Sequence, residues 1–99
     1  MYENAYGVRR SYVTAAKWYK KAAEQLDNKA HFNLGLAYKN GEGVTKNLVK
    51  AYCWYTVAVK FGHSYAHKNR AKIEKKMTPA QIKKAKESAT QWIMKHKQK

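Results

Sequence analysis

Acidic side chains are scarce in this chain of 99 residues, where six Asp and Glu stand against twenty-one Lys and Arg for a net charge of +15. The six are scattered as Glu3, Glu24, Asp27, Glu42, Glu74 and Glu87, so no two carboxylates are paired for general acid–base work. Cysteine occurs once, at Cys53, which excludes an intrachain disulfide and a cysteine-based metal cluster. No apolar run approaches the roughly 18 residues of a membrane helix. The opening MYENAYGVRR has no apolar signal-peptide core. A cytoplasmic protein is the expectation, though a mature secreted or periplasmic fragment would also lack such a core. What remains is 44% apolar and 13% aromatic, which argues against disorder. The length holds one domain with a modest core. The excess of base favours an anionic partner, be it nucleic acid, an acidic protein face or a membrane surface. It is concentrated in residues 66–99, with 11 basic and 2 acidic groups.

The stretch Ala15 to Val44 organises the rest, because much of it recurs thirty-six residues away. Trp18-Tyr19 returns as Trp54-Tyr55. The same offset carries Tyr2 to Tyr38, Asn4 to Asn40, Gly7 to Gly43, Val8 to Val44, Ala15 to Ala51, Ala22 to Ala58 and Ala30 to Ala66. Self-similarity at this period marks an array of helix hairpins.

Ala15, Trp18-Tyr19, Ala22-Ala23, Ala30, Leu34-Gly35, Tyr38 and Gly41-Glu42-Gly43-Val44 together resemble the Sel1-like repeat family, relatives of the tetratricopeptide repeats. The turn glycine of that pattern is Leu26 in the first unit and Gly62 in the second. The resemblance implies an all-α fold, an α-solenoid of helix hairpins with two Sel1-like repeats plus a C-terminal capping helix. It also implies a binding-scaffold role, without naming a substrate. Some secreted members staple each hairpin with two cysteines; this chain lacks that pattern, in keeping with a reducing compartment.

The expected division is 1–8 as the tail of a preceding partial repeat, 9–44 and 45–77 as the two repeats, and 78–97 as the cap. Residues 1–8 match 37–44 in register. In the first unit a helix is expected over 11–25, capped by Ser11, with Ala15, Trp18, Tyr19, Ala22 and Ala23 as its apolar stripe. Trp18 and Trp54 are expected in the seam between units. A second helix over 28–40 starts at Asp27 or Asn28. Gly35 within it leaves room for the first helix to cross. Helices over 47–61 and 64–76 repeat the pattern, the former capped by Asn47. In the last, Arg70, Ala71 and Glu74 replace Leu34, Gly35 and Tyr38, as suits a solenoid end. Thr78-Pro79-Ala80-Gln81 is a capping box that starts the final helix, whose stripe is Ile82, Ala85, Ala89, Trp92, Ile93 and His96.

Little here suggests chemistry. His63 and His67, four apart, lack a third ligand, so no metal or cofactor is expected. Gly41-Glu42-Gly43 lacks the lysine and preceding strand of a phosphate loop. No nucleophile–base arrangement is visible, and the chain is not expected to be an enzyme. Binding is the better reading. Val13, Lys17, Lys20 and Lys21 lie opposite the first stripe, and Val49, Cys53 and Val57 hold the equivalent face of the third helix. Such helices usually line the concave surface of Sel1-like arrays. A groove there would suit an acidic protein or peptide; the bland alternative is a row of solvated lysines. A second cluster, Lys68, Arg70, Lys72, Lys75, Lys76, Lys83, Lys84 and Lys86, could contact phosphates of nucleic acid without reading sequence. The uncovered face near Tyr2, Tyr6 and Tyr12 is expected to self-associate or contact a partner.

Overall fold

The computed structural model describes the backbone of residues 2–97 and the side chains of residues 11–96. The described residues form helices and turns only: α1 (Tyr2–Glu24), α2 (Asn28–Asn40), α3 (Leu48–Lys60), α4 (Ala66–Glu74) and α5 (Pro79–Lys97). α1 packs on α2, α2 on α3 and α3 on α4, and α5 folds back along α3. The result is the expected all-α solenoid, drawn out to 42 × 33 × 21 Å as suits a stack of hairpins.

Local chemistry sets the helix starts. Asp27 accepts from the Lys29 amide at 2.9 Å and Asn47 from the Lys50 amide at 3.0 Å, so α2 and α3 begin at their expected caps. At α5 the Thr78 amide donates to Gln81 Oε1 at 2.9 Å, and the Gln81 amide donates to Thr78 Oγ1 at 3.1 Å, closing the capping box. The hairpin turns match as well. Leu26 has φ 65° and Gly62 has φ 94°, so a left-handed residue sits at the repeat's turn position in both units. Only the first of these carries a β-carbon that disfavours the conformation.

α1 differs from its expected form. It does not start at a Ser11 cap; Ser11 lies within a helix that already runs from Tyr2, so residues 2–8 are helical throughout, whereas 41–44, the counterparts of 5–8, form a turn. The physical reason lies in one substitution between the units. α2 stops because Gly41 takes φ 71° and turns its amide back to the Ala37 carbonyl. The residue in that register near the N-terminus is Ala5, for which the left-handed turn costs about 1–2 kcal/mol, and the helix continues. α4 is also shorter than 64–76. Tyr65 gives it no side-chain cap.

The core is narrow because it is built on alanine. Ala23, Ala51, Ala58, Ala66, Ala85 and Ala89 are fully buried, so helices approach closely around Leu34, Tyr52 and Tyr55. Gly35 is the closest crossing, but with a different helix from the one expected. Its missing β-carbon leaves space for the Tyr55 ring of α3, not for α1. Phe32 packs against the same ring at 5.9 Å between centroids. The Asn28 side-chain amide donates to the Phe61 carbonyl at 2.8 Å, which ties the start of α2 to the end of α3.

An aromatic cluster locks α5 to the array. Trp92 meets Trp54 edge-on at 5.1 Å. His31, fully buried, lies 5.9 Å from Trp54, 5.3 Å from Phe61 and 5.3 Å from Trp92. Its Nε2 hydrogen-bonds the Ala23 carbonyl at 3.1 Å, so this ring joins four helices. Trp54 thus sits in the seam as expected. Trp18 does not; it is 64% exposed.

Candidate binding surfaces

The expected groove splits into an open half and a closed half. On α1, Val13, Lys17, Lys20 and Lys21 are all exposed. On α3, Val57 is fully buried, and Val49 and Cys53 are half-buried. Helix α3 is enclosed by α2, α4 and α5, which leaves it little free face. Val57 is therefore core rather than groove lining, since no partner can reach a residue without accessible surface. Burial pushes the Cys53 thiol up to about 11, so at neutral pH it stays protonated and unreactive.

Trp18 supplies what the closed half does not. Lys21 Nζ lies 5.3 Å from the centre of its ring, within cation–π range. An exposed indole with Lys21 over its ring is a large apolar surface beside positive charge. Sequence reasoning placed this ring in the core. A signal against that was available. In α5 the ring that covers Trp54 is Trp92; the residue thirty-six before Trp92 is Thr56, too small to cover Trp18. The Thr56 hydroxyl in any case donates back to the Tyr52 carbonyl at 2.9 Å.

The basic cluster divides too. Lys68, Lys72, Lys75, Lys76, Lys83, Lys84 and Lys86 are exposed. Arg70 is not free in the same sense. Its guanidinium lies 5.7 Å from the centre of the Tyr52 ring and donates to Thr56 Oγ1 at 3.4 Å, holding α4 on α3. Seven lysines thus present charge to solvent while the one arginine of the cluster serves the fold.

Two further features complete the inventory. Of the residues named for the face expected to be uncovered, Tyr12 is exposed and, with Ala15, Tyr19, Leu36 and Glu42, lines a groove of about 210 Å³ between α1 and α2. Tyr2 and Tyr6, named for the same face, lie outside the described side chains. The Glu42 carboxylate beside Tyr12 raises the phenol above its usual range. His63 stacks on Phe32 at 4.3 Å ahead of α4, whereas His67 is exposed on α4, so the two do not converge. Among the described residues no three His, Cys, Asp or Glu side chains gather as metal ligands. Among them, too, no helix is long and apolar enough to cross a membrane.

Comparison with known proteins supports the helical-repeat reading. The family described as Sel1 repeat matches at residues 1–25 and 28–63. The second match pairs α2 with α3, whereas the division at 9–44 pairs α1 with α2; a periodic chain can be cut in either phase. No curated protein matches the chain closely enough to count as a relative. Sel1 repeats are generally protein–protein interaction modules. With the matches spanning more than half of its length, on helices that stack as hairpins, the chain belongs to the Sel1 repeat family.

Proposed function

We propose that this protein is a non-enzymatic adaptor that binds an acidic protein or peptide through the outer face of α1. The observation that carries this reading is Trp18, exposed with Lys21 over its ring, on a helix whose Lys17 and Lys20 are exposed as well. Tryptophan is enriched among residues that dominate binding energy, because it buries a large rigid surface at small entropic cost. Lysines on the same helix would steer an acidic partner and pair with its carboxylates at the rim. Helix α3 adds little direct contact in this reading and acts as the support behind α1.

Charge reversal tests it. Lys17→Glu, Lys20→Glu and Lys21→Glu together should weaken capture of the native partner by about tenfold or more, and Trp18→Ala alone by a similar factor. Unchanged affinity in both variants would remove the α1 face from consideration.

A second reading draws on the same exposed ring. Indole and lysine together also suit a nucleic-acid strand, with a base stacked on Trp18. Binding of that kind falls steeply as salt rises, because phosphate contacts release counterions. A titration of single-stranded and duplex oligonucleotides that finds no binding at about 50 mM salt removes it.

A further inference from the structure

The start of α5 carries its charge in an unfavourable place. A helix N-terminus bears a partial positive charge and is stabilised by nearby acids. The first turn of α5 has no acidic residue. Lys75 and Lys76 precede it and Lys83, Lys84 and Lys86 follow it, all exposed. Like charges are thus crowded at the positive end of a dipole, where an anionic partner would relieve them.

The same spot has a shape. Pro79 and Ile82 floor an open hollow of about 410 Å³, with Lys83, Lys86 and Glu87 around them. The capping box holds the floor rigid, because Thr78 and Gln81 bond each other reciprocally. Those bonds also occupy the Thr78 and Gln81 amides, so the free chemistry is apolar floor plus lysine rim.

We infer that this hollow is a second docking surface, which takes an acidic peptide segment by one apolar side chain seated on Pro79 and Ile82 and by carboxylates facing Lys83 and Lys86. Charge complementarity selects the acid, and the floor selects a peptide over nucleic acid. No aromatic ring lines the hollow to stack a base. The Glu87 carboxylate can accept a peptide N–H, a donor that a nucleic-acid backbone does not offer. Recognition of an apolar side chain between lysines needs neither stacking nor a regular phosphate spacing. This surface is separate in residues and in helix from the α1 face, and either could fail without the other.

The test is an NMR titration of the isotope-labelled full chain at about 50 mM salt. The probes are a synthetic peptide alternating Glu with Leu, its counterpart alternating Glu with Gly, and a single-stranded thymidine oligonucleotide. The Glu–Leu peptide should shift the amides of residues 80–87 and bind about tenfold more tightly than the Glu–Gly peptide. Lys83→Glu with Lys86→Glu should weaken it at that site about tenfold. Lys17→Glu, Lys20→Glu and Lys21→Glu should leave those shifts in place. If charge reversal disturbs the helical circular dichroism, Lys83→Gln with Lys86→Gln should still give a smaller loss. Equal binding of the two peptides, shifts confined to α1, or tighter binding of the oligonucleotide at residues 80–87 would each overturn the proposal.

Discussion

Helices α1 and α3 share Ala, Trp, Tyr and Ala at matched stripe positions, and these residues meet different fates. Ala15, Tyr19 and Ala22 on α1 are half-buried, while Ala51, Tyr55 and Ala58, thirty-six residues later, are fully buried. Trp18 is 64% exposed, and Trp54 is half-buried against His31 and Trp92. The difference does not lie in the side chains. α3 is enclosed by α2, α4 and α5, whereas α1 packs chiefly on α2. A repeat fixes which face of a helix could be core; its neighbours decide whether that face becomes core or remains a surface for something else.

That contrast can be broken by substitution. The largest effect is expected at Tyr55, where truncation to alanine should cost about 3–5 kcal/mol in urea unfolding. Tyr19→Ala, at the same repeat position, should cost only about 1 kcal/mol because solvent already reaches the ring. Equal losses would mean that α1 is as fully enclosed as α3. Gly35→Ala comes next. The added β-carbon would overlap the Tyr55 ring, and the resulting strain should cost about 1–3 kcal/mol even though alanine favours a helix. A stabilised variant would show that α2 and α3 do not cross so closely.

A smaller effect is expected from pH, through His31. Burial lowers its pKa below 6.5, with His96 acting the same way and the Ala23 carbonyl and Asp27 opposing. The folded state therefore holds the ring neutral under conditions where the unfolded chain takes up a proton. Stability from this group is complete above about pH 6.5 and falls as pH drops below it. The wild-type melting temperature should decline from pH 7.5 to 5 more than that of His31→Phe. Parallel declines would show that His31 does not contribute.

Much of the fold was legible in the sequence because helix starts are local. Asp27, Asn47 and the Thr78–Gln81 pair each act within three residues, and each caps the helix assigned to it. Leu26 at the turn register carries the positive φ that Gly62 carries in the next unit. The surfaces were less legible because they depend on coverage by distant elements. Val57 reads as groove until α3 is seen enclosed, Arg70 reads as patch until it is seen over Tyr52, and Trp18 reads as core until nothing is seen to cover it. The extension of α1 had a local cause in Ala5, which stands where Gly41 would have ended a helix.

The exposure of the two repeat tryptophans tests the account most directly. Two single-tryptophan proteins, keeping only Trp18 or only Trp54 with the others changed to Phe, would be titrated with acrylamide at low protein concentration. Trp18 should emit at long wavelength and be quenched almost as efficiently as the free amino acid, while Trp54 should be shifted to shorter wavelength and protected. Equal protection of both rings would contradict the claim that α1 offers an open face where α3 is sealed.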